Sequence, residues 1–156
     1  NDTNKKLAFK GKYYKDDDHG SVPLIAEYDA LRFIFNFYRF KLTEQDYINK
    51  GTDILHIVEN YYKRLSKGFG IDMKPDEFHI NTIGYKLLRK KQFKKAEHFF
   101  KLNIKNYPKS SNVYESIGDF YLATGVKVKA INYYKKAIAL NGDSFLKEKI
   151  MELEKE

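Results

Sequence analysis

Four histidines, no cysteine and one run of three aspartates are the side chains of this 156-residue chain best suited to chemistry. His19 directly follows Asp16-Asp17-Asp18, on a polar stretch closed by Gly20. An imidazole titrates near neutrality and can serve as a general base, while clustered carboxylates can hold a cation. Spacing argues against the cation: no second histidine stands near His19, and the aspartates lack the calcium-loop pattern. Neither a metal nor a cofactor is therefore expected. His56, His79 and His98 fall on separate predicted helices without ligand spacing and read as surface or part-buried residues. A nucleophilic serine would need Gly-x-Ser-x-Gly between strand and helix, and that motif is absent from the sequence. Without a nucleophile, an imidazole has nothing in this chain to activate, and His19 taken alone reads as an exposed loop residue.

The elements that must position these groups are mostly helical. Leu7-Ala8-Phe9-Lys10-Gly11-Lys12-Tyr13-Tyr14 reads as a short strand-like or irregular start before the polar loop. Ser21 is the expected N-cap of a helix with Pro23 in its first turn and an interior from Leu24 to Phe40. Leu24, Tyr28, Leu31, Phe35 and Tyr38 form one apolar stripe there, widened by Ile25, Ala30, Phe33, Ile34 and Phe37. Such a helix needs cover on more than one side, from the repeats and their groove or by self-association through 24–40. Thr43 and Asp46 form a capping box for a short helix ending near Lys50-Gly51. Thr52 or Asp53 caps the next, which buries Ile54, Leu55, Ile57, Val58, Tyr61, Tyr62 and Leu65 and ends at Gly68-Phe69-Gly70. Ile71 to Pro75 is a linker, and Asp76 caps the helix that begins at Glu77.

From Glu77 to Ser144 one pattern occurs twice. Ile80, Ile83-Gly84, Leu87, Ala96, Phe100 and Pro108 recur 34 residues later as Tyr114, Ile117-Gly118, Tyr121, Ala130, Tyr134 and Gly142. A glycine inside a helix costs about 1 kcal/mol against alanine, so its return at the same phase implies close helix packing. Lys91-Gln92 and Thr124-Gly125 break the pattern between paired helices. The unit resembles the tetratricopeptide repeat, departing from it at Ile80, Asn103 and Gly142. The resemblance implies an all-α fold of stacked helical hairpins, with Phe145, Ile150, Met151 and Leu153 on a capping helix. It further implies a ligand groove lined by Phe78, Asn81, Tyr85 and Leu88, then Asn112, Glu115, Asp119 and Leu122. These residues would face a peptide or protein partner, or else pack against the preceding helix 53–66. They lack the Lys/Asn set that clamps a terminal carboxylate in some relatives.

A second resemblance covers about residues 7–40. Asp18-His19-Gly20-Ser21-Val22-Pro23, followed by a helix with Tyr28-Asp29-Ala30-Leu31 and Phe33-Ile34-Phe35, resembles the end of an esterase of the α/β-hydrolase superfamily. There the triad histidine comes last, on the loop before the final helix. The resemblance implies that His19 is the base of a Ser-Asp-His triad whose other members lie elsewhere, in a parent enzyme acting on carboxylic esters. This chain alone would then be a non-catalytic helper. The expected layout is 1–42 hydrolase-like remnant, 43–76 helical connector, 77–144 two repeats and 145–156 capping helix. The alternative is a free-standing tetratricopeptide adaptor.

The net charge of +8 lies mainly in the repeats, where residues 77–156 hold 16 Lys and Arg against 9 Asp and Glu. With only 4 arginines among 29 cationic residues and the lysines scattered, nucleic acid is not the expected partner. No apolar run is long enough to span a bilayer, so no membrane role is expected. The first residue is Asn, which suggests a cut-out or processed piece and leaves bacterial cytoplasm and periplasm both open.

Overall fold

A computed structural model describes residues 10–141 and 144–155. Leu7, Ala8 and Phe9 of the expected strand-like start, and Gly142 of the repeat pattern, lie outside them. Among the described residues there is no strand; the chain forms eight α-helices and one 3-10 turn. It divides into two compact units at Phe40–Lys41.

In the first unit, residues 10–14 are irregular rather than strand-like. No neighbouring strand pairs with them, and their side chains reach a helix instead: Lys12 Nζ and Tyr14 Oη both donate to Asp29 Oδ2, the latter at 2.9 Å. That helix, α1, spans Val22–Ile34. Ser21 sits at its N-cap but makes no capping bond. Its Oγ donates to Asp17 Oδ1 and accepts from the Asp18 N–H. Asp18 organises the entry, its carboxylate accepting from the N–H groups of Gly20 and Ser21 and its carbonyl from Val22. The helix also stops short of Phe40. A 3-10 turn, Asn36–Tyr38, follows, because aromatic, β-branched and Asn residues crowd 33–38 and each propagates a helix poorly.

The second unit opens with α2, Glu44–Ile48, on the expected Thr43–Asp46 capping box, ending earlier than Lys50. Helix α3 is Ile54–Phe69: Asp53 Oδ1 accepts from the His56 N–H, and Gly70, at φ +69°, closes it in the left-handed conformation that glycine adopts without penalty. Ile54, Val58, Tyr61, Tyr62 and Leu65 are buried; Leu55 and Ile57 are half-buried.

Two hairpins complete the array. The first is α4 (Glu77–Arg89) with α5 (Phe93–Asn106); the second is α6 (Ser111–Ala123) with α7 (Lys127–Asn141). Both turn the same way. Gln92 N–H donates to Leu87 O and Lys91 N–H to Leu88 O; 34 residues on, Val126 donates to Tyr121 O and Gly125 to Leu122 O. This paired closure requires a left-handed residue, met by Lys91 (φ +56°) and Gly125 (φ +78°).

Inside each hairpin the repeated glycine meets the repeated aromatic. A Cβ on Gly84 would stand 2.8 Å from the Phe100 ring, and one on Gly118 would stand 2.5 Å from the Tyr134 ring. Ala96 and Ala130 are fully buried beside them. Asn103, where the pattern calls for a small residue, is buried and donates from Nδ2 to Glu77 O, tying α5 to the first turn of α4.

The segment from α2 to α3 is bound to this array. Gln92 Nε2 donates to Tyr47 O, and Lys95 Nζ donates to Lys50 O and Thr52 O. At the other end α8, Ser144–Lys155, packs on α7. Its buried stripe is Leu146, Ile150 and Leu153, whereas Phe145 and Met151 are exposed. The helical phase has room for one stripe, and Leu146 takes the place expected for Phe145.

Candidate functional site

The histidines do not converge. His19 lies exposed on the turn before α1. The His56 Nε2 sits 2.7 Å from Asn60 Nδ2 on the surface of α3. His79 is half-buried with Nδ1 2.9 Å from the Tyr62 hydroxyl, and its burial lowers its pKa. Exposed His98 lines a cavity of about 240 Å³ between α3 and α5, beside Lys94 and Lys95. Among the described residues no three His, Asp or Glu side chains group as metal ligands.

The side chains that do converge are those of the first helices of the hairpins. Three rungs of hydrogen bonds join α4 to α6. Glu77 Oε1 accepts from Ser110 Oγ at 2.8 Å and Asn112 Nδ2 at 2.9 Å. Asn81 Nδ2 donates to Ser116 Oγ at 2.8 Å, and Tyr85 Oη donates to Asp119 Oδ2 at 2.9 Å. Residues 77, 81 and 85 share one stripe because four residues is just over one helical turn. Their bonds to residues 33 to 35 positions later put the sequence period to work as a lateral contact between helices.

Asp119 extends the ladder. Its Oδ1 accepts from Tyr134 Oη at 2.7 Å and from Lys149 Nζ at 2.8 Å, so one carboxylate collects donors from α4, α7 and α8. Burial first, and then the neighbouring Asp119, hold the Tyr134 hydroxyl well above its ordinary pKa; burial chiefly does the same for Tyr85. Both therefore remain donors across the neutral range.

Of the eight residues implied for the groove, Asn81, Tyr85, Asn112 and Asp119 are joined to the ladder. Phe78 stands 79% exposed at one end, and Leu88, Glu115 and Leu122 are half-buried. Ser116, Tyr134 and Lys149 join them without a signal in the groove pattern. Lys149 is within reach of the repeat, since the 34-residue count that leads from Asn81 to Glu115 lands next on Lys149. Its helix reads as a cap, which hides the continuation.

No protein-family model matches this chain, and neither a curated protein nor a solved structure matches it.

Proposed function

We propose that the hairpins form a non-catalytic, tetratricopeptide-like scaffold that binds a segment of a partner protein across the face made by α4, α6 and α8. The observation that carries this reading is the side-by-side placement of equivalent positions on α4 and α6, with Phe78 left exposed among hydrogen-bonding side chains. The face carries the carboxylates Glu77, Glu115 and Asp119; Lys149 is paired with Asp119 and Arg89 stands exposed at the far end of α4, in a chain whose formal net charge is +8. Exposed lysines are more numerous on the second helices, at 94, 101 and 105 of α5 and at 129, 135 and 136 of α7, while α8 carries two, at 147 and 155. That separation favours a segment with an apolar anchor for Phe78 flanked by cationic residues.

Peptides selected from a random library on the immobilised chain are expected to show that pattern. Phe78→Asp should weaken them by about tenfold or more, on the scale of a lost apolar anchor, with helix content unchanged. Undiminished binding to Phe78→Asp would place the partner elsewhere.

A second reading is favoured by the place of His19, exposed on the turn that leads directly into α1. This is the position its resemblance to a hydrolase triad base implies, and the chain would then be the helper region of an esterase-type enzyme. In either reading the chain lacks an activated serine. A fluorophosphonate probe, which labels such serines, is expected to leave it unmodified; stoichiometric labelling would refute the non-catalytic assignment.

A further inference from the structure

We propose that α1 is a contact surface for a second copy of this chain, the two helices lying parallel with Glu27 of each opposite Arg32 of the other. Helix α1 buries none of its residues. Its back turns toward residues 10–14 of its own unit: Asp29 is held by Lys12 and Tyr14, while Ala26, Ala30 and Phe33 line an open cavity of about 410 Å³ with Lys10, Lys12 and Tyr14. The opposite face shows Leu24, Tyr28 and Leu31, which are 75%, 60% and 56% exposed, and is continued past the helix end by the C-cap residue Phe35, 45% exposed.

These four residues succeed one another at intervals of four, three and four, the seam of a two-stranded coiled coil with Tyr28 and Phe35 at a and Leu24 and Leu31 at d. A helix of 13 residues is marginal alone in water, and an apolar seam of this kind is seldom left uncovered.

The charges flanking the seam identify what covers it. In this register Glu27 is a g position and Arg32 the following e position. Parallel pairing sets each g residue against the partner's e residue five positions later, which brings Glu27 to the partner's Arg32 on both sides of the two-fold axis. Antiparallel pairing would set like flanks together and oppose equal charges. Both side chains are exposed; among the described residues Glu27 makes no ion pair, and Arg32 reaches Tyr28, its Nη1 3.3 Å from the hydroxyl.

Sedimentation equilibrium of the chain should show a reversible dimer. Leu31→Glu should weaken it at least tenfold, with the helical signal of the second unit retained. Glu27→Arg and Arg32→Glu should each weaken association about tenfold, and the double reversal should restore it to within about threefold. Because the chain has no cysteine, Leu24→Cys tests direction: parallel helices bring the two introduced thiols together, and oxidation yields a covalent dimer. A monomer at all concentrations, a dimer that survives Leu31→Glu, charge reversal without rescue, or no cross-link at 24 would each overturn the proposal. The first two outcomes would point to cover of α1 by another part of the same chain or to dimerisation through another surface.

Discussion

Gly118→Ala is expected to destabilise the second unit by about 1–2 kcal/mol, although alanine for a helical glycine ordinarily adds about 1 kcal/mol. The reversal of sign comes from Tyr134. A Cβ at 118 would lie 2.5 and 2.6 Å from two atoms of that ring. The ring has nowhere to go, since it is fully buried and its hydroxyl is held by Asp119. Gly118→Val should cost about 3 kcal/mol, at the upper end of overpacking effects. Gly84→Ala should share the sign with a smaller size, because Phe100 lies slightly further away, at 2.8 Å, and has no hydroxyl to anchor it. Urea unfolding of the three variants measures these differences. In Gly118→Ala with Tyr134→Leu, the loss should be less than the sum of the single losses, as residues in contact couple. A stabilised Gly118→Ala would remove the steric account.

Above pH 10 the fold should fail steeply. Burial is the leading cause that raises the hydroxyl pKa of Tyr47, to about 12, and it holds Tyr85, Tyr121 and Tyr134 higher still above the ordinary value of 10.0. At a pH between the unfolded and folded values, the unfolded chain has released these protons and the folded chain has kept them. The unfolded state then binds fewer protons, and the free energy of unfolding falls as pH rises. Each tyrosine contributes about 1.4 kcal/mol per pH unit, so the set contributes up to about 5 kcal/mol per unit. Against a typical stability of about 5–15 kcal/mol, that slope brings unfolding within about one to three pH units above 10. Below pH 10 the contribution of these groups is complete and constant. Circular dichroism followed together with phenolate absorbance should show helix loss and a burst of tyrosine ionisation in one transition. Tyrosines that titrate at the ordinary value while the helices persist would contradict this.

What the sequence disclosed and what it hid divide along a physical line. Gly84, Gly118, Ala96 and Ala130 announced the hairpins because steric exclusion leaves few residues that fit, and the same few recur at the same phase. Asp76 was readable as a cap, and Asp53 as one of two candidates with Thr52, for a similar reason: each carboxylate needs only the N–H three residues ahead. Ser21 departs from its expected capping role because its neighbours Asp17 and Asp18 compete for the same local bonds, a contest that propensity does not resolve. The end of α1 at Ile34 likewise depends on local conformation in a run whose apolar pattern continues to Tyr38. At the candidate face the positions of Asn81, Tyr85, Asn112 and Asp119 came from the repeat. The repeat also held Tyr134, as a packing residue, and its count reaches Lys149, but it did not disclose that these two and Ser116 bond to the face, because a hydrogen bond between helices depends on axial offset as well as on which face a residue occupies.

The ladder from Glu77 to Lys149 also bears on how the chain finds its shape. Its bonds join residues about one repeat apart, and the hairpin turns at Lys91 and Gly125 bring still closer partners together. Each contact therefore closes a short loop, and doubling a loop adds only about 0.6 kcal/mol of closure entropy. Low sequence separation is the topology of rapid folding, and either hairpin can serve as the seed on which its neighbour condenses. The Asp119 carboxylate, accepting from three other helices, ties the two hairpins and α8 together.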